Sequence, residues 1–299
     1  MRHLELHAGL LLSATLSASL PSSAQPCPPI RVQVSPKVPV AGTLFRLAVP
    51  LPSTRIDLTG TLAGEPLRFR IAGDSLIAIA AAPIDSSNGL TLQWQCRSAG
   101  ASSNASFNAS FADSLRIATS AGNYRLERLK VAPRFTSAPD SALAARMANE
   151  ASRAAAVSRA AHDTPRLYTT PFRAPRASRI TSGFGSGRTF NDSVTSRHMG
   201  TDYAGATGAP VLAANRGVVR LVDRFYLGGN VVYIDHGNGL ITAYLHLSKT
   251  RVAVGDTVSR GQRIGDVGAT GRVTGPHLHF IARYGQITVN PISVIDKTP

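Results

Sequence analysis

The feature that most constrains the fold is a pair of β-forming runs joined by a turn signal, in the segment GGNVVYIDHGNGLITAYLHLS at residues 228–248. The DHGNG between the runs, which holds Asp235 and His236, is typical of a tight β-hairpin. Downstream, VAVGDTVSRGQRIGDVGATG adds very short strands with glycine at each corner. The C-terminal part is therefore predicted to be an antiparallel β domain, either a compact barrel or a rolled sheet.

The N-terminal half has a different β pattern, with short alternating segments between about residues 30 and 131 that are separated by Gly, Pro, Ser and Asp. In LTLQWQC the inward-facing residues are Leu90, Leu92, Trp94 and Cys96. Period-two runs of this kind predict an antiparallel β-sandwich, immunoglobulin-like in type. The N-x-S sequons at Asn104 and Asn108 are interpreted as part of an exposed polar strand. This region contains no catalytic constellation, so we expect a spacer or a binding module.

An Ala-rich stretch without internal glycine predicts one helix, from about Pro139 to His162. Ser137 and Asp140 have the spacing of a capping box at its start. Its apolar stripe is thin, so we expect the helix to pack lightly or to link two domains, with His162 solvated near its end. The proline-rich segment RLYTTPFRAPR that follows, at residues 166–176, is expected to be extended. One hypothesis is that it lies over a functional groove and restrains activity.

The first 24 residues have the pattern of a cleaved export signal, with Arg2 ahead of an apolar stretch and a small residue at Ala24. Export favours a disulfide between the two remaining cysteines, Cys27 and Cys96, because neither has another Cys or a His at metal-ligand spacing. No other window is long and apolar enough to span a bilayer. The sequence thus predicts a soluble, monomeric protein of the periplasm or cell envelope.

Histidines cluster in the C-terminal part, where five of the eight in the chain lie between residues 198 and 279. His198 precedes Asp202 by four residues in HMGTD, on a strand or turn. In LITAYLHLS, period-two alternation places Tyr244 and His246 on the same face of a strand. Each of these signals is weak when taken alone, because surface histidines at such spacings are common.

The HLH tripeptide supplies the strongest chemical signal, because His277 and His279 lie side by side on one face of a strand. Two neighbouring imidazoles repel each other once both are charged, so a cation or a shared proton best explains the pair. Zinc accepts imidazole nitrogen and carboxylate oxygen, and a catalytic zinc site has three protein ligands and an open position. The combined residues therefore predict a metal-assisted hydrolase.

These motifs resemble the lysostaphin-type, or glycyl-glycine, zinc endopeptidases that cut peptide cross-links of bacterial peptidoglycan. The resemblance covers about residues 172 to 291 and rests on ITSGFG, HMGTDYAGATGAPVLAANRGVV, the hairpin segment, GATGRVTGPHLHF and VNP. Position by position, it implies the zinc ligands His198, Asp202 and His279 and the catalytic histidines His246 and His277. It also implies a small antiparallel barrel-like domain of the duplicated hybrid motif type, with one zinc ion per chain.

The implied function is hydrolysis of peptidoglycan cross-links during wall remodelling, by metal-activated water with the help of two histidines. Either His246 or His277 could be the general base. Tyr244, Arg272 and Thr274 are expected to line the substrate groove. Lys and Arg outnumber Asp and Glu by 32 to 17, giving a formal charge of +15, which suits an anionic wall polymer. Peptidoglycan is thus the expected partner, without nucleic acid. Gly-Gly bridges and direct D-Ala to diaminopimelate links both remain open, and we favour the direct link.

Three alternatives compete with this interpretation. VGDTVSRGQRIGDVGATG resembles the strands of biotinyl and lipoyl carriers, but the matching hairpin has no Lys. GATGRVTGP lacks the G-K-[ST] end of a phosphate-binding P-loop. A non-catalytic wall-binding protein, or an activator of other wall hydrolases, is the remaining alternative, although none of the five site positions is substituted.

The predicted architecture is mainly β. It comprises a signal peptide at 1–24, an N-terminal β domain at 25–132, a helix and linker at 133–170 and a zinc metallopeptidase domain at 171–299.

Overall fold

The computed structural model describes residues 27–53, 56–98, 109–192 and 194–297. The export segment and the sequons at Asn104 and Asn108 lie outside these residues. Within them the chain is mainly β, which confirms the predicted fold class. No helix in this part of the chain is long and apolar enough to cross a membrane.

The N-terminal region is a sandwich of two four-stranded antiparallel sheets. In spatial order, one sheet consists of β1 (Gln33–Ser35), β2 (Leu44–Pro50), β6 (Ser75–Ala81) and β5 (Arg70–Ala72). The other consists of β4 (Glu65–Leu67), β3 (Ile56–Leu62), β7 (Leu90–Ser98) and β8 (Ala109–Ile117). Apolar residues of β7 alternate with exposed ones and join a core that both sheets share. Cys96 of this core forms the expected disulfide with Cys27.

The C-terminal region is built on an eight-stranded sheet. In spatial order its strands are β10 (Ile180–Ser182), β13 (Thr201–Ala204), β21 (His277–Tyr284), β17 (Leu240–Leu247), β16 (Gly229–Gly237), β15 (Gly217–Phe225) and β19 (Thr257–Val258), and β22 (Ile287–Val289) also pairs with β21. All these pairs are antiparallel. The predicted hairpin is β16 and β17, and Asn238 and Gly239 form its turn with positive φ angles of 51° and 83°.

His236 is part of β16 and not of the hairpin turn. Its Nδ1 and Nε2 atoms lie 2.8 Å from the Arg216 carbonyl and 2.8 Å from the Thr242 hydroxyl. Burial lowers the pKa of His236 to about 4, so the ring is a neutral core group at neutral pH. Asp235, also within β16, is buried beside it.

Each face of the large sheet has its own cover. A three-stranded sheet of β14 (Pro210–Leu212), β20 (Arg263–Asp266) and β18 (Lys249–Thr250) covers the face that contains Tyr244 and Phe280. This second layer agrees with the predicted rolled, barrel-like domain. On the opposite face, α1 (Ser141–Ala160) packs Ala154 in a cluster with Tyr233 and Ile241. The predicted helix is therefore part of the C-terminal domain's packing and is more than a linker.

The start of α1 differs in detail from the predicted capping box. Asp140 is the N-cap, and its carboxylate accepts a hydrogen bond of 2.8 Å from the backbone N–H of Leu143. Ser137 donates instead to the carbonyl of Pro133, in a short 3-10 turn before the helix. A side chain three residues ahead of the N-cap has no free helix N–H within reach, so the apparent motif was coincidental.

A buried contact joins the end of α1 to the N-terminal sandwich. The His162 ring is 8% exposed, and its Nε2 lies 2.8 Å from Oε2 of Glu65 in β4. The other Glu65 oxygen accepts from the backbone N–H of Gln286, and the Tyr284 hydroxyl donates to the Pro66 carbonyl. The expectation that His162 is solvated was wrong, because the sandwich covers the helix end. A second helix, α2 (Pro291–Lys297), lies at the same junction.

One strand crosses the predicted domain boundary. The segment β9 (Leu126–Leu129), which the sequence grouped with the N-terminal domain, pairs in parallel with β11 (Gly187–Phe190). On its other edge β11 pairs with β12 (Val194–Arg197). Register places Glu127 opposite Arg188, next to the loop that carries the first predicted metal ligand. A segment upstream of the helix is thus built into the wall of the C-terminal site.

Candidate metal centre

The three predicted metal ligands meet at one buried point. Asp202 of β13 and His279 of β21 lie directly opposite each other in the antiparallel register, so their side chains share a face of the sheet. His198 reaches the same point from the end of β12. Its Nε2 lies 3.0 Å from Asp202 Oδ1 and 2.9 Å from His279 Nδ1, and the two latter atoms are 2.7 Å apart.

The hydrogen bonds around these residues fit a cation. His198 Nδ1 donates to the Gly183 carbonyl at 2.7 Å, which leaves Nε2 as the lone-pair nitrogen that faces the centre. That lone pair, the His279 Nδ1 and a carboxylate oxygen then converge with one another. Imidazole nitrogen and carboxylate oxygen in a group of three are a donor set that suits zinc, and the carbonyl behind His198 orients the ligand as zinc sites commonly require.

A network of hydrogen-bonded side chains surrounds the Asp202 carboxylate at the metal centre. Burial opposes ionisation of Asp202, but its contacts with His198 and His279 outweigh burial and bring the pKa of this carboxyl far below its usual range. Arg188 Nη2 donates to Asp202 Oδ2 at 2.7 Å, and its Nε donates to Glu127 Oε2 at 3.0 Å. The Ser182 hydroxyl also donates to Glu127, at 2.7 Å. Sequence reasoning missed Glu127, since only the pairing of β9 with β11 brings it here.

The packing around Gly200 explains why HMGTD contains a glycine. A Cβ atom at this position would lie 2.6 Å from His279 Cε1 and 2.7 Å from the Phe280 carbonyl oxygen. Both distances are shorter than real Cβ contacts, so a side chain here would push the His279 ring away from Asp202. The glycine between the first two predicted ligands therefore makes room for the third.

His246 reaches the site through a bulge in β17. Its φ angle of 63° lies in the left-handed region, and the pairing of β16 with β17 shifts register at this point. The bulge turns His246 onto the face that carries His279, while Leu247 returns to the core on the opposite face. Strain of this kind in a residue other than glycine is frequent at functional sites.

The bulge also corrects the expected position of Tyr244. This side chain is fully buried on the face covered by the small sheet, where its hydroxyl accepts from the backbone N–H of Ala214 at 2.8 Å. Thr242 lies 3.0 Å from the same hydroxyl. Uninterrupted alternation would group Tyr244 with His246, but the structure separates them, so Tyr244 does not line the groove. Burial raises its pKa above the usual value, which suits a neutral core phenol.

Two further histidines lie beside the three predicted metal ligands. The centroids of the His246 and His277 rings are 5.0 Å apart, and His277 Nε2 is 3.7 Å from Asp202 Oδ1. His246 Nδ1 donates to the Thr270 carbonyl and His277 Nδ1 donates to the Gly275 carbonyl, each at 2.8 Å. With Nδ1 as the donor, the lone pair of each ring in its neutral form is on Nε2. Burial, followed by the nearby His279 and His277, lowers the pKa of His246 well below its usual value. Burial also lowers the pKa of His279, to about 4.

A groove of about 600 Å³ opens beside these histidines. Arg272 and Thr274 line it, and Glu127, Leu129 and Val131 contribute a wall from β9 and the residues after it. None of the described lining residues comes from 166–176. That segment instead places Phe172 in the core and bonds the Leu167 N–H to the His236 carbonyl, so the hypothesis that it covers the groove is not supported.

A buried His–Asp–His centre on an antiparallel sheet, with two further histidines at a groove, is the arrangement of a metal-dependent hydrolase. Residues 196–291, which contain all five of these side chains, match the model of Peptidase family M23. The chain therefore contains a Peptidase M23 domain.

Proteins similar to this chain include two with named activities. Over 97 residues the chain is 48% identical to the peptidoglycan DD-endopeptidase ShyC of Vibrio cholerae, a match that covers 32% of this chain and 22% of ShyC. Over 102 residues it is 49% identical to the DD-carboxypeptidase/endopeptidase Mpg of Neisseria meningitidis, which covers 34% of this chain and 24% of Mpg. The chain therefore spans less than a quarter of either relative.

A crystal structure from Pseudomonas aeruginosa, of a protein assigned to the peptidase M23 group, shares the fold more widely. It covers 87% of this chain and 96% of its own, with a TM-score of 0.63 and 24% sequence identity. Most of this chain therefore shares its fold with that structure.

Proposed function

We propose that this chain is a zinc-dependent endopeptidase that hydrolyses peptide cross-links of bacterial peptidoglycan. The observation that carries the proposal is the convergence of His198, Asp202 and His279 within hydrogen-bonding distance, with two oriented histidines beside them. These three residues would hold one zinc ion. The substrate class comes from the names of the relatives, which act on peptidoglycan at DD bonds.

The roles of the protein's own groups follow from their hydrogen bonds. A bound zinc ion supplies Lewis acidity for the scissile carbonyl and a water molecule of lowered pKa. His246 and His277 each direct an Nε2 atom away from the loop at 270–275, because their Nδ1 protons are held by its carbonyls. One histidine accepts the water proton on Nε2. The other acts in its protonated form, in which the Nε2–H donates a hydrogen bond to the developing oxyanion and then a proton to the leaving amine. Arg188 donates to Asp202 and so orients its carboxylate.

Substrate contacts are assigned to the groove wall. Arg272 and Thr274 both lie on the loop that orients the two histidines, so a peptide seated there would present its amide to them. The disulfide and the peptidoglycan substrate together favour a site of action outside the cytoplasm, in the periplasm, by a monomeric enzyme.

Mass spectrometry of muropeptides tests the proposal. We expect the zinc-loaded protein to convert cross-linked dimers in purified peptidoglycan into monomers with new amino and carboxyl ends. His277→Ala should keep zinc and the melting temperature while losing dimer conversion. Full zinc occupancy without any released ends would reject the hydrolase and favour the non-catalytic wall-binding or activator role.

A further inference from the structure

Arg272 is a half-buried cation in the groove that lacks a carboxylate partner among the residues the structure describes. Arg188, its neighbour, is different, because it contacts both Glu127 and Asp202. Burial lowers the pKa of Arg272, and the positive charge of Arg188 acts in the same direction. A partly desolvated guanidinium without a counter-ion is unfavourable, so this position suits an anion supplied from outside.

The guanidinium is held in place without using its hydrogen-bond donors on acidic groups. Its Cζ atom lies 4.1 Å from the centroid of the Phe190 ring, which supports one face of the plane. The Arg272 N–H donates to the Leu227 carbonyl at 2.9 Å. At Gly271 a Cβ atom would lie 2.4 Å from both that carbonyl oxygen and the Gly229 nitrogen, so the loop is packed closely against its neighbours. A planar guanidinium supported in this way suits bidentate recognition of a carboxylate.

The same loop fixes the two histidines. His246 is bonded to the carbonyl of Thr270 and His277 to the carbonyl of Gly275, on either side of Arg272. His246 and Arg272 also line the groove together. An anion bound by Arg272 therefore lies next to the amide that the histidines would process.

We propose that Arg272 binds a free carboxylate on the carbon atom that carries the leaving amine. Arg272 thereby selects cross-links in which the carbon bonded to the amide nitrogen also bears a free carboxylate. This inference rests on the proposed function and names its substrate class. In the direct D-Ala to diaminopimelate link, the amide nitrogen is bonded to a carbon that also bears a free carboxylate. An amide inside a glycine bridge, or one made to a lysine side chain, has no such group.

The bond changes are those of simple hydrolysis. Water oxygen bonds to the D-Ala carbonyl carbon, the C–N bond breaks, and the departing nitrogen takes a proton. The neighbouring carboxylate keeps its charge throughout, so its contact with Arg272 positions the amide without taking part in the chemistry. Arg272 is thus a specificity residue for the leaving side of the cross-link.

The test compares two cross-linked muropeptide dimers that differ only in this carboxylate, which is free in one and a carboxamide in the other. For the zinc-loaded full chain we expect kcat/KM to be about 10- to 100-fold higher on the free acid, the effect of one charge-assisted hydrogen bond. In Arg272→Gln the kcat/KM values for the two substrates should be within about 3-fold of each other, because the substitution lowers kcat/KM only for the substrate with the free carboxylate. Arg272→Lys should keep part of the preference.

Arg97→Gln is the matched control, since it removes one exposed charge from β7 of the sandwich, at a residue that does not line the groove. This variant should keep the full preference for the free acid over the carboxamide. Recognition by Arg272 is then separated from a general attraction of the carboxylate to a positively charged protein. Equal rates on both dimers with the wild type would overturn the inference but leave the proposed function intact. An unchanged preference in Arg272→Gln would also overturn it. Cleavage of neither dimer by the wild type would reject the proposed function itself.

Discussion

Two buried histidine–carboxylate contacts in this molecule look alike but do different work. In the metal centre, His279 lies 2.7 Å from Asp202. At the junction between the sandwich and the C-terminal domain, His162 lies 2.8 Å from Glu65. Distance and burial do not separate them, because all four side chains are buried. The difference lies in what else converges on each pair.

At the metal centre a third lone pair, from His198, faces the same point, and a groove opens beside it. At the junction the second Glu65 oxygen is occupied by the Gln286 N–H, and the His162 ring packs against Tyr284 at a centroid distance of 5.1 Å. Convergent acceptors thus indicate a metal site, whereas complementary donors and acceptors indicate a structural contact. Substitutions that keep side-chain shape can break each pair separately.

The largest expected effect comes from Asp202→Asn, which removes the charge from the metal centre and leaves the junction intact. Zinc content should fall from about one per chain to near zero, because an amide is a far weaker zinc ligand than a carboxylate. Hydrolysis of peptidoglycan should fall to background. His198→Ala should behave in the same way, and metal analysis after dialysis measures both. Full zinc retention in Asp202→Asn would contradict the assigned ligand set.

A smaller effect is expected for His246→Ala, which leaves all three proposed ligands in place. The variant should retain zinc while kcat falls by about 100-fold or more, the size typical of removing a general acid or base. Steady-state kinetics on a muropeptide dimer, with zinc measured on the same sample, separates this outcome from ligand loss. Loss of zinc in parallel with kcat would move His246 into the ligand set.

A third substitution, Glu127→Gln, tests whether β9 supports the metal centre. It weakens the contact that orients Arg188 against Asp202, so the dissociation constant for zinc should rise by about 10-fold, the lower end of such outer-shell effects. With saturating zinc, kcat should change by no more than about 3-fold. Competition with a zinc chelator measures the affinity. Unchanged affinity would mean that β9 is only a wall of the groove.

The smallest effect on activity is expected for Glu65→Gln, the matched change at the junction. Burial opposes ionisation of Glu65, but hydrogen bonds from His162 and the Gln286 N–H bring its pKa below the usual value. A carboxyl with a lowered pKa in the folded state stabilises the protein above its unfolded pKa of about 4.3, and this contribution is lost as pH falls.

Glu65→Gln should therefore lower the free energy of unfolding by about 2 kcal/mol at pH 7, with zinc content unchanged. The difference from the wild type should persist down to about pH 4.3 and shrink as the pH falls below this value, through the lowered pKa of Glu65. Thermal unfolding at a series of pH values measures it. A difference that is constant with pH would show that the charge of Glu65 contributes nothing to stability.

Much of the site was predictable because its residues occur in local motifs. The hairpin, the HLH strand and HMGTD each place a histidine by strand alternation or short spacing, and the structure brings His198, Asp202 and His279 together. The prediction from period-two alternation was wrong at His246, whose left-handed backbone conformation forms a bulge. His246 and Tyr244 therefore lie on opposite faces of the sheet, and Tyr244 is buried. A single bulge cannot be detected from a period-two pattern, because the residues on both sides still alternate.

The features that sequence reasoning missed depend on contacts between distant parts of the chain. Glu127 and Arg188 are 61 residues apart, and His162 meets Glu65 across 97 residues. Nothing local in YRLERLK indicates a partner strand, and a histidine after a helix is usually solvated. Pairings of this kind depend on how the domains pack, which local propensity does not encode.

We expect zinc to bind to Asp202, His279 and His198, and not to the pair His162 and Glu65 at the junction. Anomalous diffraction at the zinc edge, on crystals of the zinc-loaded full chain, tests it most directly. We expect one strong peak about 2.0–2.2 Å from His198 Nε2, Asp202 Oδ1 and His279 Nδ1. No peak at these atoms, or a peak between His162 and Glu65, would contradict the account.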